Sequence, residues 1–140
     1  MTNRKELLHF VESFAGASAT NDRREEYLNL LTRGVESKRM RQDMGSMSSC
    51  SLFVRAVLWF MGENHSLYKN PYRIGYASAD VNTVANSHGA YIPGNKLNVD
   101  NIPQPGDVFI TNTGHYGFIV RKLPCPEPDR KSTRLNSSHW

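Results

Sequence analysis

The run from Cys50 to Gly62, Cys-Ser-Leu-Phe-Val-Arg-Ala-Val-Leu-Trp-Phe-Met-Gly, constrains this chain more than any other stretch. Its residues favour a helix, and Arg55 is the one charge on a surface that is apolar on nearly every face. A helix apolar all round has to be buried, so the other elements must be laid around it. Ser48 or Ser49 can cap the first turn through a hydroxyl, and Gly62 suits a left-handed stop. Cys50 then falls in the first turn of a central helix. Free backbone N–H groups and the positive end of the helix dipole favour an ionised thiol there. Position alone leaves two readings open: a nucleophilic cysteine, or a small core residue of a type that is often buried.

The flanking segments supply the layers. Asn3 to Phe14 predicts a helix, with Leu7, Leu8, Val11 and Phe14 at helical spacing. Gly16 to Ala19 reads as a linker. A second helix is predicted from a Thr20 or Asn21 cap to Val35, with Tyr27, Leu28, Leu30 and Leu31 as its buried stripe. Lys38 to Gln42 is a basic segment leading into a loop over Asp43 to Met47. Its charges read as a solvated face, with contact to an anionic partner as the less favoured alternative. Beyond the central helix, Tyr68 to Tyr76 reads as an aromatic loop broken by Pro71 and Gly75. Ala79 to Ser87 predicts a short helix capped by Ser78, with Val81, Val84 and Ala85 inward and Gly89 as its stop. Pro103-Gln104-Pro105-Gly106-Asp107 is a turn signature. Val108 to Ile110 and Tyr116 to Val120 read as strands, close enough across Thr111 to His115 for a hairpin. Helices come first and strands later, which predicts an α+β fold with N-terminal helices packed on a small antiparallel sheet.

His115 begins the second strand between Gly114 and Tyr116-Gly117, which leaves its imidazole uncrowded on one side. If the sheet packs on the first turn of the cysteine helix, this ring can take the Cys50 proton and steady the thiolate. Backbone N–H groups around Ser49 and Cys50, supported by Ser51, would then receive an oxyanion. His9, His65 and His88 compete for the role from settings that suit a solvated histidine.

The ordered set Cys50 at a helix start, Pro105-Gly106-Asp107-Val108, and Gly114-His115-Tyr116-Gly117-Phe118-Ile119-Val120 resembles the papain-like cysteine hydrolases of the NlpC/P60 and CHAP groups. These are peptidoglycan amidases and endopeptidases of bacteria and phages, and the resemblance spans Gly45 to Val120. It implies a papain-like fold, here with an incomplete sheet, Cys50 as nucleophile and His115 as base, with Asp107 as a structural turn residue. It also implies cell-wall or peptide substrate and a thioester intermediate. Tyr68, Tyr72, Tyr76 and Tyr91 could line a groove for a glycan or peptide stem, with core packing as the alternative for each. Two departures stand out. Ser49 and Ser51 flank Cys50 where the family carries other signatures. The third polar residue expected on a later strand also has no good candidate, because Glu127 is flanked by prolines. A deamidase or transglutaminase-like acyl-transfer domain would use the same pair, whereas a non-catalytic binding or structural module would keep Cys50 as core.

Composition narrows the remaining classes. A length of 140 residues suits one domain, read as a helical part over 1–44, a hydrolase-like core over 45–123 and a tail over 124–140. Residues 129–139 resemble the translation of a sequencing-library adapter, so the tail reads as disordered or artefactual and the protein as truncated. Leaving out residues 129–140 lowers the formal charge from +4 to +2, too little to argue for nucleic acid. No apolar window reaches the roughly 18 residues of a membrane span, and the N-terminus does not resemble a signal peptide. Cys50 and Cys125 make no disulfide framework, which suggests synthesis in a reducing cytoplasm. Action outside the cell, by phage lysis or a secretion machine, stays open. The histidine spacings match no zinc pattern, so no metal or cofactor is expected, and a monomer is.

Overall fold

The computed structural model describes residues 3–47 and 49–121. Ser48, Cys125, Glu127 and the tail assigned to 124–140 lie outside the described residues. Within them run α1 (Arg4–Glu12), α2 (Arg24–Thr32), α3 (Lys38–Gly45), α4 (Cys50–Phe60), α5 (Ser66–Lys69) and α6 (Ala77–Ser87), then β1 (Val108–Ile110) and β2 (Tyr116–Phe118). Short 3-10 turns occupy Ile74–Tyr76 and Gly94–Lys96. The α+β class expected from element order is what the chain forms.

Helix α4 lies at the centre, packed against α2, α5, α6 and β2. Leu52, Val54, Ala56 and Val57 are buried, and the helix emerges at Phe60, which is exposed. It stops where the sequence says it should. Gly62 takes φ +104, and Glu63 N–H returns to the Leu58 carbonyl at 2.9 Å. Near its start, Phe53 ties together three segments. Its ring lies 6.1 Å from Phe14, 6.1 Å from Tyr27 on α2 and 6.2 Å from Phe118 on β2.

Several boundaries differ from the sequence reading, each for a local reason. Helix α1 starts where expected because Asn3 and Glu6 form a reciprocal cap. The Asn3 side chain accepts from Glu6 N–H at 2.9 Å and donates to the Glu6 carboxylate at 3.0 Å. Helix α2 begins later than its expected Thr20 or Asn21 cap. Asn21 instead folds a preceding turn, accepting from Ser18 and Arg23 N–H and donating to the Gly16 carbonyl. At the other end α2 stops at Thr32, before Val35, because Arg33 and Gly34 both take positive φ. The segment expected as a basic run and loop over 38–47 is largely helix α3. Ser37 accepts from Met40 N–H at 3.2 Å to start it, and buried Met40 and Met44, one turn apart, hold it in the core. The solvated-face reading holds for Arg39, while Arg41 is bound by Glu25 and Asn29. Part of the expected loop over 68–76 is also helical, in α5 and a 3-10 turn. Helix α6 starts at Ala77, so Ser78 lies within it and makes no cap.

The strands pair antiparallel with Val108 opposite Phe118, Phe109 opposite Gly117 and Ile110 opposite Tyr116. Gly117 is required by its partner. A Cβ there would meet the edge of the Phe109 ring at 2.7 Å. We predict that Gly117→Ala lowers stability by about 1–3 kcal/mol. Combining it with Phe109→Leu should recover part of that loss, measured as coupling in urea unfolding. Strictly additive costs would show that the ring and the glycine are independent.

Candidate functional site

Cys50 is the first residue of α4 and is half-buried. Ser49 precedes it as the N-cap residue, but its hydroxyl does not close the helix end as expected. It lies instead 2.5 Å from the Tyr27 phenol, where either group can donate. Burial pushes the Tyr27 phenol up, against the opposing hydrogen bond from Ser49, and a negative charge on nearby Cys50 would push the same way. Ser51 is buried in the first turn. The structure therefore gathers Ser49, Cys50 and Ser51 at one helix end, with Tyr27 bracing it from α2.

His115 sits elsewhere on the hairpin. Its ring lies 6.1 Å from Phe109, and Phe109 also covers Gly117, so these three share one face of the ribbon. Tyr116 and Phe118 occupy the other face. Phe118 meets Phe53 of α4, and the Tyr116 hydroxyl donates to Ser78 and Asn82 of α6. Strand alternation thus gives the helix-facing positions to the residues either side of Gly117. His115 is exposed, and among the described residues its imidazole makes no hydrogen bond. Its backbone N–H donates to the Thr111 hydroxyl at 3.0 Å, which closes the hairpin loop. The sequence-predicted pair is not joined by a hydrogen bond in this arrangement.

The remaining candidates are scattered. Tyr72, Tyr76 and Tyr91 are all exposed, and Tyr76 stacks under the Arg73 guanidinium at 4.9 Å. Tyr68, by contrast, is buried and its phenol is strongly pushed up by burial. Asp107 fills a structural role: one oxygen accepts from Gln104 N–H at 2.8 Å and the other from Arg4 at 2.6 Å. His88 lies 2.8 Å from the Glu63 carboxylate, and His65 accepts from Leu67 N–H to start α5. An open groove of about 810 Å³ runs along α1, lined by Lys5, His9, Phe10 and Met61 among others. It includes His9 but neither Cys50 nor His115, and none of the groove tyrosines. Among the described residues no cluster of three His, Cys, Asp or Glu side chains could hold a metal. None of their helices is long and apolar enough to cross a membrane.

The sequence reading missed the polar centre of the molecule. Arg55 on α4 is fully buried and donates to Asp80 of α6 and to the Arg73 carbonyl, each at 2.8 Å. Arg73 adds a two-pronged contact to the same carboxylate at 2.9 and 2.8 Å. Burial works to raise the Asp80 carboxyl, but the hydrogen bonds from Arg73 and Arg55 outweigh it and hold it below its usual range. The available signal was a lone arginine inside an apolar helix, which demanded a buried partner.

Comparisons with protein-family models, curated proteins and solved structures gave no match.

A depressed carboxyl contributes stability above its unfolded value and loses it as pH falls through the folded value. Asp80→Asn should therefore cost about 3–5 kcal/mol at neutral pH, because it leaves Arg55 buried without its counter-charge. It should also flatten the loss of stability that the wild type shows below about pH 4. Denaturant unfolding across acidic pH reads both, and parallel wild-type and variant curves would refute the assignment.

Proposed function

We propose that the chain is a cysteine-dependent amide hydrolase of the papain-like NlpC/P60–CHAP type, acting on peptidoglycan or a related peptide. The observation that carries this reading is the place of Cys50. It is a half-buried thiol opening a helix that is otherwise sunk in the core, beside a serine held by Tyr27. The ordered residues around Asp107 and His115 add to it.

In the reaction, His115 takes the Cys50 proton and the sulfur attacks the amide carbonyl. N–H groups at the head of α4 steady the oxyanion, with Ser49 and Ser51 shaping that end. The C–N bond then breaks, the amine leaves with the proton from the imidazolium, and water hydrolyses the thioester. Catalysis requires the His115 ring to turn from the Phe109 face toward Cys50. The segment that would carry it is the exposed loop Thr111–His115, in which Gly114 takes φ +86. Catalytic contacts that are long or misaligned in a free enzyme commonly tighten with substrate.

A second reading, a non-catalytic binding or structural module, is favoured by one observation: Tyr116 and Phe118 face the helices while His115 faces away.

Alkylation separates the two. In a Cys125→Ser background, iodoacetamide should label Cys50 rapidly at neutral pH, and His115→Ala should slow that labelling severalfold. Labelling no faster than that of an ordinary free thiol, and unchanged by His115→Ala, would favour the module. Clearing of a cell-wall gel by the parent, lost in Cys50→Ala, then tests the substrate.

A further inference from the structure

The buried arginines are unequally satisfied. Arg73 presents its Nε–Nη2 edge to Asp80 and fills it with two hydrogen bonds. Arg55 and Arg33 have that same edge buried and unmatched: Nε and Nη2 of each lack an acceptor. Arg55 uses Nη1 for Asp80 and the Arg73 carbonyl, and Arg33 uses Nη1 for the Leu31 carbonyl at 3.1 Å. Orphaned N–H groups of this kind are rare in folded proteins. Two fork-shaped edges, each of the type that grips a carboxylate or phosphate through paired bonds, are rarer still.

Charge decides between the possible occupants. Arg55 and Arg73 share Asp80 as their hydrogen-bonded carboxylate, whereas Arg33 bonds only to the Leu31 carbonyl. Glu63 is engaged with His88. The cluster therefore carries two unbalanced positive charges where the solvent screens poorly. Burial, with the Arg55 charge next, holds the Arg33 guanidinium down to about 10. Water would satisfy the N–H groups but leave the charge, whereas a doubly negative oxyanion answers both. Arg33 is half-buried and sits at the exposed end of α2, where Arg33 and Gly34 turn through positive φ.

We propose that the Nε–Nη2 edges of Arg33 and Arg55 form a binding site for a phosphate-type dianion, either the free ion or a phosphomonoester. This proposal stands apart from the Cys50 chemistry.

The test is titration calorimetry and thermal unfolding with inorganic phosphate and, separately, phenyl phosphate, against chloride and acetate at matched ionic strength. One equivalent of phosphate should bind and raise the melting temperature saturably. If phenyl phosphate also binds, the site admits phosphomonoesters. If inorganic phosphate alone binds, the site holds the free ion. Arg33→Met should weaken binding at least tenfold while keeping the fold, since Arg33 has a single hydrogen bond to lose. If that variant does not fold, Arg33→Lys, which keeps the charge without the paired edge, should weaken binding similarly. Equal stabilisation by chloride or acetate would overturn the proposal, as would undiminished phosphate binding in the folded variant.

Discussion

The Arg55 guanidinium, fully buried halfway along α4, is the constraint on which the rest of the structure depends. A cation cannot stay there uncompensated, so α6 must bring Asp80 to it and the segment before α6 must bring the Arg73 carbonyl. Those two demands set where α6 lies and how the chain between α5 and α6 turns. An apolar residue at position 55 could match the stability of such a pair, but it would not specify one docking of α6 in the same way. At the other end of α4, Phe53 does comparable work with rings alone, joining α1's trailing turn, α2 and β2. One helix is thus fixed by a charge in its middle and an aromatic cluster near its start.

This arrangement sets the thiol through α4 and the imidazole through the ribbon, independently of one another. Cys50 inherits its position from α4, and Tyr27 braces Ser49 beside it. His115 inherits its position from a two-stranded ribbon whose inward face is taken by Tyr116 and Phe118. A period of two leaves no freedom: filling positions 116 and 118 with large rings sends 115 and 117 outward. The hydrolase reading accordingly rests on loop movement, and the module reading on the ribbon staying as it is.

Much of the fold was legible because it follows from local pattern. The apolar run at α4, the stripe of α2 and the short strands bounded by Pro105-Gly106 and Gly114 all announce themselves. Helix α3 was hidden because Lys38, Arg39 and Arg41 dominate its composition, while only Met40 and Met44 mark the buried side. The Arg55–Asp80 pair was hidden because its members stand 25 residues apart in different elements. Periodicity speaks to one helix at a time and cannot say which side chain another helix will deliver. The face taken by His115 depended on which of Tyr116 and Gly117 turned inward. The order of large and small residues hints at that, but only packing decides it.

The clasp between Arg4 and Asp107 spans 103 positions of the chain, and it bears on the order of folding. Such a contact closes nearly the whole described chain into a ring, with a loop-closure cost that short-range helix pairing does not carry. The first helix is thereby held against the turn that leads into the ribbon.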